Sequence, residues 1–194
     1  LIDPSFFAAM NRELERGARC LQGYYGIANP DESVMTRMLA VTYVMKNLLF
    51  NAGKAALGLS VTLHGTGMVF RSEALEEHGW ESMSIGEDLE QSLRVVQRGE
   101  RIAFVSDARI GAQESTTLRQ GYAQRQRWAT GRRALARAAR RAFVEGLRTR
   151  SLRLADLAID LLIPNYARVL TWTLVALAAA LLLTSSLTAV SVAA

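Results

Sequence analysis

The sequence Gln124-Arg125-Gln126-Arg127-Trp128 lies in an arginine-rich segment that later runs into an uncharged, apolar tail. In an α-helix, residues three and four apart lie on the same face, so Gln124, Arg127 and Trp128 are expected to share one. Such a face offers an amide, a planar cation and a flat indole ring, which together suit an anionic ligand that carries a sugar. The alternative for these five residues alone is a solvated basic helix with one buried tryptophan.

The positive charge of the chain is concentrated around this motif. Eleven arginines and one acidic residue, Glu145, lie between Arg119 and Arg153, whereas the whole chain of 194 residues has a formal net charge of +5. This asymmetry predicts an anionic partner, which would be phosphate, nucleic acid or lipid headgroups. The single cysteine, Cys20, cannot form an internal disulfide and favours a reducing compartment.

The C-terminal tail is long enough to cross a membrane. Residues 169–194 contain no charged side chain, and about 20 apolar residues cross a bilayer. Tyr166 and Trp172 lie near its start, where aromatic residues meet the membrane interface. We therefore predict a transmembrane helix over 168–194, with a buried core helix as the alternative. Because the arginines precede it, the positive-inside rule places residues 1–150 in the cytoplasm of a multi-pass protein of the cell (inner or plasma) membrane.

An amphipathic segment connects these two regions. Leu154, Leu157 and Leu161 lie on one side of a predicted helix over 151–167, and Asp156 and Asp160 lie on another. Its place between a basic segment and a membrane span predicts a helix in the membrane interface. The alternative is a short helix of the soluble domain.

The rest of the chain alternates helical and extended patterns. The helices are predicted over 4–16, 33–57, 72–78, 86–99 and from about 117, and the strands over 18–25, 60–64, 68–71 and 102–105. Such alternation predicts an α/β fold with helices packed on a sheet. The second helix has a stripe of apolar residues: Val34, Met38, Val41, Met45, Leu48 and Leu49.

Two further motifs precede the arginine-rich segment. Gly65-Thr66-Gly67 is a tight turn at a strand end, where backbone can closely approach a ligand. Glu87 and Asp88 form an acidic pair at the start of a predicted helix, where they would by themselves only cap it.

Together with Gln-x-x-Arg-Trp, these motifs resemble the membrane-integrated family 2 glycosyltransferases, which include the cellulose, hyaluronan, chitin and poly-N-acetylglucosamine synthases. In that family an acidic motif, usually Thr-Glu-Asp, precedes Gln-x-x-Arg-Trp, and interface and transmembrane helices follow. Here Gly86 stands in place of the threonine. The resemblance implies that residues 1–150 are the C-terminal, acceptor-side part of a GT-A-like domain.

The same resemblance implies a reaction. A sugar would be transferred with inversion from a nucleoside diphosphate sugar, a UDP-sugar, to the end of a growing β-linked polysaccharide at the cytoplasmic membrane face. Asp88 would be the general base, with Glu87 raising its basicity. Gln124 and Arg127 would hold the pyrophosphate, and Trp128 would stack on the acceptor sugar.

Other roles follow from the resemblance. Gly65, Thr66 and Gly67 would border the acceptor site, and Gln22 would line the donor site. A divalent metal, Mg²⁺ or Mn²⁺, would be held mainly by an Asp-x-Asp motif upstream of Leu1, and no metal ligand is expected within this chain. The donor-binding half of the domain would also lie upstream, so this part alone is expected to be inactive.

Two other functions remain open. One is a membrane-anchored basic module that binds anionic lipid or nucleic acid, which would explain the arginines but not the Glu87-Asp88 pair. The other is a non-processive glycosyltransferase that acts on a lipid carrier. The reading as a polysaccharide synthase expects a lipid bilayer and a polysaccharide acceptor as partners, and no nucleic acid.

Overall fold

The computed structural model of the protein describes residues 1–80 and 86–163, together with the single residues 173 and 177. Contacts divide the chain into two compact units, Leu1–Leu162 and Ile163–Ala194, and every helix and strand described below belongs to the first. The predicted transmembrane helix over 168–194 lies outside the described residues, apart from 173 and 177. Within the described part of the chain, no helix is both long and apolar enough to cross a membrane.

A three-stranded sheet organises the first unit. The strands are β1 (Cys20–Ile27), β2 (Met68–Phe70) and β3 (Ile102–Ala112), in the spatial order β2-β1-β3. Strand β1 is antiparallel to β2 and parallel to β3. The predicted α/β class is confirmed as a mixed fold with a small sheet.

Seven α-helices surround this sheet. They are α1 (Phe6–Glu15), α2 (Val34–Met45), α3 (Ala52–Ala56), α4 (Ser72–His78), α5 (Glu87–Gln97), α6 (Leu118–Arg148) and α7 (Leu152–Leu162), and a π-helical segment (Lys46–Asn51) joins α2 to α3. One face of the sheet packs on α1 through Phe6, Ala9 and Met10. The other face packs on residues of α5, α6 and α7, because successive strand residues such as Cys20 and Leu21 point to opposite sides.

The predicted strand over 60–64 is extended but is not part of the sheet ladder. Its side chains Val61 and Leu63 are buried, as a core strand requires. Val61 N donates to the carbonyl oxygen of Ile102 in β3 at 3.2 Å. The next two N–H groups that bond within the domain do so to side chains: Leu63 N donates to Ser92 Oγ at 2.8 Å and His64 N donates to Gln22 Oε1 at 2.9 Å. The prediction of a strand over 60–64 was wrong.

Strand β3 is seven residues longer at its end than the predicted 102–105, because β1 continues to offer it hydrogen-bonding partners as far as Ile27. The two strands pair in register from Cys20 with Ile102 to Gly23 with Val105, and pairing resumes at Tyr24 with Arg109. The intervening residues 106–108 form a bulge. Gly23 lies against this bulge, where a side chain would have no room.

The long helical segment from Val34 to Ala56 has its polar side turned inward. Ser33 and Thr36 cap its start reciprocally, and Asn47, Asn51 and Lys54 are buried against the domain. The apolar stripe predicted for this helix is at the surface instead: Val34, Met38, Val41, Met45, Leu48 and Leu49 are all exposed. The sequence periodicity was therefore correct, but it does not mark the side that packs on the sheet.

Helix α7 lies in the domain core. Its residues Leu154, Leu157 and Leu161 are buried among side chains of α5 and α6, so this apolar face is not available to a bilayer. Its acidic side is also occupied, because Lys54 forms ion pairs with Asp156, at 2.7 Å, and with Asp160. The helix predicted within 151–167 is present, but its predicted place in the membrane interface is not supported.

Replacing Gly23 tests the packing of the β1–β3 bulge. An added Cβ would lie 2.6 Å from the carbonyl oxygen of Ala108 and 2.9 Å from Cε of Met10, and a backbone oxygen cannot move cheaply. We expect Gly23→Ala to lower the free energy of unfolding by about 1–3 kcal/mol. Gly53→Ala is the control, because nothing lies within 4 Å of that position and alanine is the better helix former. Denaturant unfolding of both variants measures the difference, and equal stability would contradict the proposed crowding.

Candidate active site

A cavity of about 340 Å³ lies between the 64–67 loop, the start of α5, the long helical segment and α6. Its size falls within the range usual for small-molecule sites. It is lined by Tyr25, Tyr43, Lys46, Asn47, His64, Gly65, Thr66, Gly86, Asp88, Leu89, Gln124, Trp128 and Arg132. Five residues that the sequence singled out as site residues are thus brought together: Gly65, Thr66, Asp88, Gln124 and Trp128.

Asp88 is held in one orientation by backbone amides. Its Oδ2 accepts a hydrogen bond from Gly65 N at 2.9 Å, and its Oδ1 accepts one from Leu89 N at 2.8 Å. Burial raises the pKa of Asp88 above its ordinary value, the two amides partly offset this, and the like charge of Glu87 adds to the rise. The result is a fixed carboxylate that binds a proton more readily than an ordinary aspartate. Glu87 itself is not among the residues that line the cavity.

Gln22 positions the loop that contacts Asp88. This fully buried side chain donates from Nε2 to the carbonyl oxygen of Thr66 at 2.9 Å and accepts at Oε1 from His64 N at 2.9 Å. The structure therefore places Gln22 behind the turn, and Gln22 is not among the residues that line this cavity. Its expected place in the donor site stays a prediction. Gly67, the last residue of the turn, has a positive φ of 74° and packs against Ile110, also away from the cavity.

Helix α6 contributes to the cavity with residues four apart. Gln124, Trp128 and Arg132 line it, as the helical spacing of i, i+4 and i+8 requires. Trp128 keeps 49% of its surface exposed, so its ring is accessible. Arg127 is exposed and is not among the lining residues. The sequence grouped Arg127 with Gln124 and Trp128, but the cavity face of α6 includes Arg132 in its place.

The start of α5 lies close to α6. A Cβ added at Gly86 would be 3.4 Å from the carbonyl carbon of Gly131 and 3.5 Å from its Cα. Two facing glycines thus bring the backbone before Glu87 and Asp88 against the α6 residues that border Trp128 and Arg132.

Two cations, Lys46 and Arg132, line the same cavity as Asp88. Burial lowers the pKa of Lys46 to about 8, and Arg132 acts in the same direction, while Asp160 and Asp88 oppose it. Arg132 donates from Nη1 to the carbonyl oxygen of Asp160 at 2.7 Å. His64 lies beside them, and burial, with these two cations, holds its pKa well below the ordinary value, so the imidazole is neutral.

Two tyrosines form an aromatic wall of the cavity that Trp128 also lines. The rings of Tyr25 and Tyr43 meet edge to face with 5.0 Å between centroids, and both hydroxyls lie 3.3 Å from Oε1 of Glu114. Burial and Glu114 raise the pKa of Tyr25 to about 12 and raise that of Tyr43 further. Asn47 donates to both backbone carbonyls, at 2.8 and 2.7 Å. The wall is therefore fixed and uncharged.

The cavity does not fit a divalent metal. Within residues 1–80 and 86–163, no three His, Cys, Asp or Glu side chains converge as a metal site requires. Asp88 already accepts two amide hydrogen bonds, and its neighbours Lys46 and Arg132 would repel a cation.

Sequence reasoning missed Tyr25, Tyr43, Lys46, Asn47 and Arg132. One signal was available for Lys46: the chain has only two lysines, Lys46 and Lys54, among 23 basic residues, and both face inward. A second was the spacing of four residues from Trp128 to Arg132. Neither signal identifies a cavity unless the packing of the long helical segment against α6 is known.

Comparison with known proteins relates this arrangement to a family. The family model described as "Glycosyl transferase family group 2" matches residues 1–192. A protein named "Probable glycosyltransferase YdaM" from Bacillus subtilis (strain 168) is 27% identical over 115 residues, which are 59% of this chain and 27% of that protein.

Two plant proteins are similar to the same extent. "Probable glucomannan 4-beta-mannosyltransferase 3" of Oryza sativa subsp. japonica is 25% identical over 112 residues, 57% of this chain and 20% of that protein. "Probable glucomannan 4-beta-mannosyltransferase 14" of Arabidopsis thaliana is 28% identical over 116 residues, again 57% of this chain and 21% of that protein. The chain thus matches between a fifth and just over a quarter of the length of these relatives.

The lowered pKa of Lys46 can be measured by its reactivity. At pH 8 about half of Lys46 is neutral if its pKa is about 8, and a neutral amine is the nucleophile. We expect reductive methylation at pH 8, followed by mass spectrometry, to modify Lys46 faster than Lys54, which is ion-paired with Asp156 and Asp160. Faster modification of Lys54 would contradict this description of the cavity.

Proposed function

The chain belongs to glycosyl transferase family group 2, and we propose that it is the acceptor-side part of an enzyme that transfers a hexose, with inversion, from a nucleoside diphosphate sugar to an acceptor hydroxyl. The observation that supports this most directly is Asp88. Its carboxylate is fixed by two backbone amides, has a raised pKa and borders a cavity that also contains Trp128 and two cations.

In the proposed reaction Asp88 is the general base. The acceptor hydroxyl attacks the anomeric carbon of the donor sugar while its proton moves to Asp88. The new C–O bond forms as the bond to the diphosphate breaks, and the bonding electrons leave with the diphosphate. A base whose pKa lies nearer to neutrality accepts the proton more readily than an ordinary aspartate.

The aromatic walls suit a sugar acceptor. Trp128, Tyr25 and Tyr43 present flat, uncharged surfaces, and the half-exposed indole of Trp128 is positioned to stack on the C–H face of a pyranose. Two relatives are named as glucomannan 4-beta-mannosyltransferases, which supports a growing β-linked polysaccharide as the acceptor. Gln124 lies one turn before Trp128 on the same face and can bond to sugar hydroxyls or phosphate oxygens.

The donor is proposed to be a UDP-sugar. A divalent metal, Mg²⁺ or Mn²⁺, would neutralise the diphosphate during transfer, and the described residues do not supply its ligands. No step assigned to Asp88 depends on it. Arg127, which is exposed, is proposed to contact the diphosphate together with Gln124.

The cytoplasmic face of the cell membrane is the proposed location. An exposed face of α6 is basic, with five arginines at helical spacing: Arg133, Arg137, Arg140, Arg141 and Arg148. Exposed Val144 and Leu147 lie on the same part of the helix. Arginines with interspersed apolar residues suit a surface of anionic lipid headgroups. The uncharged run of residues 169–194 supports a membrane span in the same chain.

The role of Asp88 is tested by Asp88→Asn in the protein encoded by the complete gene. We expect the rate of sugar transfer to fall by roughly 10²- to 10⁴-fold, since the amide cannot accept the proton. In the unchanged enzyme, kcat/KM should fall as the pH drops through the raised pKa of Asp88, because only the ionised carboxylate is a base. Nucleotide release and product formation measure the rate.

Glu90→Gln is the matched control, since Glu90 lies on the same helix, pairs with Arg94 at 3.0 Å and is not in the cavity. Transfer near the unchanged rate is expected for it. An Asp88→Asn enzyme that is folded and fully active would overturn the proposed function and favour a basic lipid- or nucleic-acid-binding module. Product length separates polymer extension from single addition to a lipid carrier.

The basic face of α6 is tested with vesicles. We expect Arg137→Gln with Arg141→Gln to weaken sedimentation with vesicles that contain phosphatidylglycerol, and to leave binding to neutral phosphatidylcholine unchanged. About 1 kcal/mol is typical for each arginine near an anionic surface, so the loss should approach 30-fold at low salt. Arg12→Gln on α1 with Arg16→Gln directly after that helix removes the same charge from an exposed site elsewhere. Equal losses for both pairs would exclude a specific membrane-facing surface.

A further inference from the structure

The two cations inside the cavity have no role in the reaction as described so far. Lys46 comes from the π-helical segment and Arg132 from α6, and both line the cavity that contains Asp88. π-Helical turns are rare and are frequently found at functional sites. Asp88 is the only other ionised side chain among the described residues that line the cavity, so these residues carry two positive charges and one negative charge.

The stability of the folded state does not explain why a lysine occupies position 46. Burial lowers its pKa, which means that the folded state is less stable when Lys46 is protonated than it would be with a neutral side chain. The other inward-facing lysine, Lys54, is compensated by two carboxylates, Asp156 and Asp160. Lys46, by contrast, lines the cavity together with a second cation, Arg132, and Asp160 and Asp88 only partly oppose the lowering of its pKa by burial and by Arg132. A cation in such a place is typical of a ligand site.

We propose that Lys46 and Arg132 together bind a phosphate or diphosphate ester inside the cavity, beside Asp88. This inference rests on the proposed function. The two cations approach from different elements, so an anion with several oxygens and a double charge satisfies both, whereas a carboxylate would satisfy one. Lysine contributes a compact charge and arginine a planar fork that pairs with two phosphate oxygens.

A neutral polar group lies at the same place. Nε2 of His64 is buried and has no hydrogen-bond partner within the part of the chain that the structure describes. An imidazole nitrogen beside two cations can donate to a phosphate oxygen or accept from a water that accompanies it. His64, Lys46 and Arg132 thus offer three side chains from three different parts of the fold to one anion.

The same chemistry has two sources in a sugar transfer. The anion is either the diphosphate of the donor nucleotide, which leaves the anomeric carbon, or the phosphate of an acceptor that is joined to a lipid. In the first case Arg132 receives the developing charge that the sequence motif would assign to Arg127. In the second case the two cations select a phosphorylated acceptor.

The test is binding to the protein encoded by the complete gene, measured by calorimetry in detergent. The probes are uridine diphosphate and farnesyl diphosphate, with uridine and farnesol as the matching compounds without phosphate. We expect one diphosphate to bind at least 10-fold more tightly than its phosphate-free partner, and Lys46→Met and Arg132→Gln each to weaken it about 10-fold or more. Which of the two diphosphates responds identifies the source.

Three variants separate this site from general attraction and from misfolding. Arg133→Gln removes an exposed charge from the neighbouring position of α6 and should change the affinity less than 2-fold. Lys46→Arg should retain most of the binding that Lys46→Met loses. Because protonated Lys46 destabilises the fold, Lys46→Met should unfold at the same temperature as the unchanged protein or a higher one.

Equal weakening by Arg132→Gln and Arg133→Gln would overturn the proposal, as would Lys46→Met binding like the unchanged protein or losing its fold. None of these outcomes alters the effect of Asp88→Asn on sugar transfer. Conversely, suppose that the Asp88→Asn enzyme is active and that diphosphate binding still needs Lys46 and Arg132. The proposed role of Asp88 would then be wrong, and the proposed anion site would be supported.

Discussion

The candidate site depends on one buried amide, the side chain of Gln22 on the central strand. Its two ends bond to the backbone of the 64–67 loop, and the N–H of Gly65 in that loop bonds to Asp88. Two successive sets of hydrogen bonds, from Gln22 to the loop and from the loop to Asp88, thus fix the position of the carboxylate relative to the sheet. A buried amide left without these partners would be costly, by about 1–3 kcal/mol for each unsatisfied group. The loop therefore has one favourable position.

The inverted polarity of the long helical segment follows from the cavity. The side that faces the domain bears Tyr43, Lys46, Asn47 and Asn51, and its polar groups bond to backbone carbonyls or border the cavity. A purely apolar inner face would close over Asp88 and leave nothing to bind a polar ligand. The apolar residues are consequently on the outside, where an ordinary globular helix has its polar side.

Helix α7 is held in the core by two different kinds of contact. Its leucines fill the space between α5 and α6, and Lys54 ties its acidic side to α3. Breaking a buried ion pair by removing one partner costs about 3–5 kcal/mol, so this contact resists displacement. Arg132 also bonds to a carbonyl of α7, and the helix thereby supports the cationic side of the cavity as well as the core.

The amino-acid sequence by itself determined the α/β class, the main helices, the acidic pair at the start of α5 and the motif on α6, because each is a local pattern of propensity, capping or helical spacing. It also brought together Asp88, Gln124, Trp128 and the 65–66 turn, through resemblance to a family. The tertiary structure decided which faces meet. In the folded chain the polar side of the long helix faces inward and α7 lies in the core. Gln22 lies behind the loop, and Arg132 rather than Arg127 lines the cavity. Periodicity shows that a helix has two sides, and only packing against distant residues selects which of them is buried.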